Sequence, residues 1–135
     1  MMLRTLRSLA ADRRGAAAVE FALVAPVFLA LLLGIVEFAY QMWTRVALDY
    51  ALAQAARCYV LGYVDSGAGT DCSSVAGATA YLQTLATGVA FPAGALAVTS
   101  PATGCLKYTY AATWLVPGIM PVAAPTFTGT SCFYY

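Results

Sequence analysis

Histidine is absent from this chain of 135 residues, lysine occurs once, at Lys107, and charged residues make up only 10% of it. With no imidazole, no paired carboxylates and no Cys-x-x-Cys couple, the stretch after residue 40 has no general base, activated nucleophile or metal-ligand set. No catalytic residue, metal or cofactor is expected, so the chain is read as a non-enzyme. The pairs Ser73-Ser74 and Ser131-Cys132 are read as structural. Positive charge is scarce too. From Ala16 onward three cations (Arg45, Arg57, Lys107) stand against five carboxylates (Glu20, Glu37, Asp49, Asp65, Asp71), a net of −2, which leaves no basic patch for nucleic acid.

What the chain has in quantity is apolar surface: 61% of residues are hydrophobic, and the mean hydropathy is +0.75. One membrane segment and one small exported domain account for such values. No charge interrupts the run from Phe21 to Val36, and with Ala16 to Val19 it reaches the roughly twenty residues that a helix needs to cross a bilayer. Arg4, Arg7, Arg13 and Arg14 precede it against one acid, Asp12. That asymmetry puts the N-terminus in the cytoplasm and the rest of the chain outside.

One residue is wrong for a plain anchor. Glu20 lies about one turn into the apolar segment, where a carboxylate costs roughly 2–4 kcal/mol, so it calls for a partner. Gly15 lies five residues before it, after a short basic leader. This arrangement resembles the processing signature of type IV prepilins. The resemblance implies a prepilin peptidase cutting between Gly15 and Ala16, after which the new α-amine of a neighbouring subunit neutralises Glu20 as the helices bundle. Glu20 and the following Phe21 would then set the register of assembly. The stretch Gly15-Ala-Ala-Ala-Val-Glu-Phe-Ala-Leu-Val-Ala-Pro26, followed by Gly34-Ile-Val-Glu37-Phe38 and Ala55-Ala56-Arg57, resembles the TadE-like minor pilins, or pseudopilins, of the Tad/Flp tight-adherence systems. The likeness is dense over residues 13–62 and loose afterwards. It implies a bacterial inner-membrane protein with a single pass, processed and then joined to other minor pilins, the major Flp-type pilin and the inner-membrane assembly platform. Such a subunit would prime or cap a pilus used in adhesion or secretion. Phe21 stands where many major Flp pilins have Tyr, and the exported part is larger than theirs, which favours a minor subunit.

Taken in order, residues 1–15 read as the basic cytoplasmic leader and residues 16–61 as one long helix, its membrane part over about 16–39 and an amphipathic exported part over about 40–61. Ala18, Ala22, Pro26, Ala30 and Gly34 recur every four residues, a small-residue row along which a partner helix can approach closely. Pro26 has no amide hydrogen and predicts a mild kink. Tyr40 and Trp43 suit an interfacial belt, and Glu37 is expected among the headgroups, solvated. Farther on, Gln41, Arg45, Asp49 and Arg57 are expected on the solvent side, leaving Trp43, Val46, Ala47, Tyr50 and Ala51 to pack on the exported domain. Gly62 fits a helix stop.

The fold class expected is α+β, pilin-like: residues 62–135 read as a small exported domain with a short helix and about three antiparallel strands. Residues 62–72 read as a loop. Ser73 or Ser74 caps a helix to about Ala86 with Val75, Leu82 and Leu85 inward. Strands are expected at 95–99, at 105–115 with Leu106, Tyr108, Tyr110, Ala112 and Trp114 on one face, and at 126–135 with Phe127, Phe133 and Tyr135 on one face. Residues 117–125 form a proline-rich loop.

Cys58, Cys72, Cys105 and Cys132 all lie on the side the charge rule calls outside, where two disulfides are the simplest reading. Three pairings are possible. Cys58 with Cys72 would tie the end of the long helix to the following loop, and Cys105 with Cys132 would bridge two strands; the second bridge, closing about 28 residues, is worth about 3–4 kcal/mol. The alternative to a pilus subunit is an uncleaved, membrane-tethered binding domain that presents Tyr108, Tyr110, Tyr134 and Tyr135 for recognition.

Overall fold

The structure is a computed structural model and describes residues 14–62, 64–65, 70–116, 118 and 122–134. The leader up to Arg13, Pro117, Pro121 and the expected strand residue Tyr135 lie outside the described residues. Helix α1 spans Arg14–Leu61. A two-residue hairpin follows, β1 (Val64–Asp65) and β2 (Thr70–Asp71), then α2 (Val75–Leu85) and the strands β3 (Leu96–Thr99), β4 (Cys105–Ala111) and β5 (Thr126–Cys132). The three longer strands form an antiparallel sheet in the order β3-β4-β5. The class is α+β, with a long N-terminal apolar helix.

The chain divides into two compact units after Val36. Within the first, the described residues 15–36 are helical and exposed, apart from partial cover at Ala25 and Gly34. The helix runs through Pro26 without a break.

The second unit, from Glu37 on, is built around the outer part of α1. Leu48, Ala51, Leu52, Ala55 and Ala56 form its core with Ala78, Leu82 and Ala86 around α2 and with Leu106, Tyr108, Tyr110 and Ala112 of β4 and its extension. Three of the α1 residues in it are alanines, and the bulk on the strand side comes from the Tyr108 and Tyr110 rings. The alternation expected in β4 is present: Leu106, Tyr108 and Tyr110 are buried while Lys107 and Thr109 are exposed. Tyr108 and Tyr110 are therefore core residues and no part of a recognition surface.

The face of α1 differs from the one expected. Trp43, Val46 and Tyr50 are exposed, whereas Glu37, Gln41, Thr44, Leu48, Leu52 and Ala55 are buried. These six follow the spacing of one helical face. Arg45, Asp49 and Arg57 are exposed as expected, but Gln41 is not. Apolar residues surround this part of the helix on every side, so hydropathy does not choose a face. The choice falls to the side chains that the sheet and its loops cover, Glu37 and Gln41 with hydrogen bonds to the segment after β4, while Gln41 Oε1 and Thr44 Oγ1 are buried without a partner among the described residues.

Local signals fix the ends of the elements. At Gly62 the backbone turns to φ +60°, and its N–H bonds back to the Cys58 carbonyl, a left-handed helix stop. The Ser74 side chain accepts from the N–H of Gly77 at 3.1 Å and caps α2. Gly77, which on propensity argues against a helix here, is required because a Cβ would run into the Asp71 carbonyl oxygen. Opposite, the Asp71 carboxylate accepts from the Ser73 N–H, which holds it below the usual carboxylate range. Residues 62–72, read as a loop, carry the β1-β2 hairpin, with Val64 opposite Asp71. The disulfides join Cys58 to Cys72 and Cys105 to Cys132. The second pair sits directly opposite in the β4-β5 register, Cα atoms 4.0 Å apart.

Gly129 sits opposite Tyr108 in that register. A Cβ there would lie 2.5 Å from the Tyr108 ring and 2.7 Å from Asp49 Oδ1, where the Tyr108 hydroxyl donates to Asp49 at 2.8 Å. Gly129→Ala should therefore destabilise the domain by about 1–3 kcal/mol through overpacking, read as a lower thermal midpoint of the full chain in detergent. Burial first, and then the Asp49 carboxylate, push the Tyr108 hydroxyl well above its ordinary range, while burial does the same to Tyr110. For such groups stability is fully present below the unfolded tyrosine pKa of about 10 and is lost as pH rises beyond it. Tyrosinate absorbance should thus rise in two steps, the second coinciding with unfolding, and Tyr108→Phe should shrink that second step.

Candidate assembly and processing site

Gly15, Ala16, Glu20 and Phe21 all lie in the first two turns of α1, and all four are exposed. A Cβ on Gly15 would meet nothing within 4 Å, so packing gives no reason for glycine at that position. The Gly15–Ala16 peptide lies beside the first described residue of the helix, Arg14. No acidic residue lies in the first turn, so the helix dipole, whose effect fades beyond that turn, does not account for Glu20. Among the described residues no hydrogen bond or ion pair engages the Glu20 carboxylate.

Ala18, Ala22, Pro26 and Ala30 are exposed and Gly34 is partly covered. A Cβ on Gly34 would also find open space. Each step of four residues advances the row by about 40° on a helix of 3.6 residues per turn, so it winds around α1 along a ridge instead of forming a straight strip. The structure thus brings Gly15, Ala16, Glu20 and Phe21 together and leaves the small residues spread along the helix. The four cysteine sulfurs are committed to disulfides.

Residues 15–57 match the family model for TadE-like protein. The match is consistent with a TadE-like protein of the Tad pilus system. It opens on Gly15 and covers nearly all of α1, about a third of the chain, while all four disulfide cysteines and the whole sheet lie outside it. No curated protein and no solved structure matches the chain. An apolar helix with a mean hydropathy of 2.5 over its best window is long enough to cross a membrane, consistent with membrane anchoring.

Sequence reasoning missed a polar site in the second unit. Glu37, expected to be solvated, is only 5% exposed, and Gln41 is 7% exposed. Both Glu37 oxygens accept from the Leu115 N–H, at 2.9 and 3.1 Å. Gln41 Nε2 donates to Glu37 Oε1 at 3.3 Å and to the Thr113 carbonyl at 3.1 Å. The acid is therefore used up in docking the segment after β4 on the helix. The signal was present in the spacing of Glu37, Gln41, Thr44 and Leu48 along one helical face, hidden because three of the four are polar.

A cleft of about 480 Å³ opens between the end of α1 and the sheet, lined among others by Tyr59, Ser73, Thr103, Phe133 and Tyr134. The Arg57 guanidinium lies 5.8 Å from the centre of the Phe133 ring, over its face. Tyr134 is the one tyrosine of the expected recognition set that the described residues leave exposed.

Glu37→Ala would leave the Leu115 N–H and one Gln41 donor without their acceptor, a loss of about 1–3 kcal/mol. Faster amide exchange across residues 112–116 and a lower denaturation midpoint are expected, with Glu37→Gln, which keeps a carbonyl acceptor, recovering most of both.

Proposed function

We propose that this chain is a structural minor pilin or pseudopilin of a Tad-type pilus, processed by a prepilin peptidase between Gly15 and Ala16. The observation that carries the reading is the coincidence at the start of α1. An exposed glycine with no packing role lies five residues before an acid that has no partner among the described residues and stands at the head of a sixteen-residue uncharged run, and the TadE-like match begins at that glycine. Cleavage leaves an α-ammonium on Ala16. In a bundle of such helices that amine from one subunit neutralises Glu20 of the next, which lowers the cost of holding a carboxylate in the apolar layer. Glu20 then fixes the axial register, and the open surface at Gly34 admits a neighbouring helix.

In this reading the chain crosses the bacterial inner membrane once, with residues 1–15 cytoplasmic and the disulfide-bonded unit exported. It is a peptidase's substrate and not itself an enzyme. Its partners are other minor pilins, the major Flp-type pilin and the assembly platform, and it acts in initiating the pilus or forming its tip.

The test is the intact mass and N-terminal sequence of membrane-extracted chain made with and without a co-expressed prepilin peptidase. A chain beginning at Ala16 only when the active peptidase is present is expected. Retention of residues 1–15 in both preparations overturns the reading in favour of a tethered binding domain. In the processed chain, Glu20→Ala should leave insertion intact and abolish incorporation into pili, whereas a plain anchor would be unaffected.

A further inference from the structure

The connection between β4 and β5, residues 112–125, is built unlike the other loops. Thr113 is its one side chain able to hydrogen-bond strongly apart from the Trp114 indole, it holds three prolines, and no charged residue occurs anywhere from Tyr108 to Tyr135. The base is closed by the Ala112 N–H donating to the Pro125 carbonyl at 3.0 Å. Across the loop, Trp114 Nε1 donates to the Val122 carbonyl at 2.9 Å. On its helix side the Leu115 N–H is taken by Glu37 and the Thr113 carbonyl by Gln41. Yet large aliphatic side chains among its described residues are left out: Leu115 is 48% exposed, Val116 41% and Val122 61%.

Aliphatic side chains exposed in a stretch without charge suit the boundary between acyl chains and headgroups. The loop's place beside α1 supplies that boundary. Glu37, which holds Leu115, directly follows Val36, the last residue of the uncharged run. A bilayer occupied by that run has its outer surface near Glu37, and Trp43, whose exposed ring suits the headgroup layer, lies about 9 Å farther along the helix axis. The geometry points to Leu115, Val116 and Val122 as a second membrane contact, seated in the acyl-headgroup boundary where Leu115 is held by Glu37. Glu37 and Gln41 are covered by the loop, so neither meets the lipid directly.

This inference rests on the membrane span and not on processing, so it holds equally for a cleaved and an uncleaved chain. With two tryptophans in the sequence, Trp43→Phe leaves Trp114 as the sole reporter in the full chain. Reconstitution into phosphatidylcholine–phosphatidylglycerol vesicles with bromines high on the acyl chains should quench Trp114 emission about two-fold or more, with little quenching by aqueous iodide, as for an interfacial ring. Val116→Asp, its two disulfides checked by intact mass, should restore most of the emission. A Phe28→Trp reporter lacking both native tryptophans, quenched by bromines deep in the chains, reports the span itself. Quenching at position 28 without quenching of Trp114 overturns the loop contact alone. Iodide protection of Trp114 that grows with protein-to-lipid ratio, without quenching by the bromolipid, overturns it in favour of a second copy covering the loop. Absence of quenching at both positions removes the span and the loop contact together.

Discussion

Close packing of one face of α1 on β4 is the contact on which the second unit depends. Ala51, Ala55 and Ala56 present almost no side chain, and they share one buried cluster with Leu48, Leu52 and the rings of Tyr108 and Tyr110. The arrangement constrains its neighbours tightly. Gly129 has no side chain because the Tyr108 ring and Asp49 occupy that space, and Gly77 has none because the Asp71 carbonyl does. Among the described residues fewer than twenty are buried, a small core, and the two disulfides supplement it at its edges, one at the end of α1 and the other across β4 and β5.

The same helix carries two different tasks. Over residues 15–36 its apolar side chains are exposed around the helix, as a membrane or a bundle of like helices requires. From Glu37 onward one face is given to the second unit, and the change is marked by polar side chains, Glu37, Gln41 and Thr44, turned inward. A carboxylate at this point would be costly if the loop after β4 did not bring the Leu115 amide to it. Glu20 and Glu37 are thus two acids of the same helix handled differently: the second is satisfied within the chain, while the first has no partner among the described residues. That contrast is why Glu20, and not Glu37, is the residue assigned to subunit assembly.

Much of the fold was legible because its signals are local. The uncharged run defined the apolar helix, Gly62 and Ser74 marked its stop and the start of the next, and strict alternation from Leu106 to Ala112 gave both the strand and its inner face. The candidate processing site was equally legible, since Gly15, Glu20 and the apolar run are neighbours in sequence. The face of α1 was not. Trp43, Val46 and Tyr50 look like core residues on hydropathy, but they stay exposed in the chain by itself, and the buried stripe mixes leucine and alanine with glutamine, threonine and glutamate.

The sequence by itself determined that the chain has one apolar helix with an acid near its start, a small disulfide-bearing α+β unit behind it, and the strand faces of that unit, because each depends on residues close together in the chain. The tertiary structure decided which side of α1 is covered, that Glu37 is a buried clasp for Leu115, that Tyr108 and Tyr110 are core residues bonded to Asp49 and Ala90, and that Gly77 and Gly129 must be glycines. These depend on groups 20 to 78 residues apart for the hydrogen bonds of Tyr110, Tyr108 and Glu37. A polar side chain's preference for water or for the interior is set by whether such a distant partner arrives, and no local pattern records that.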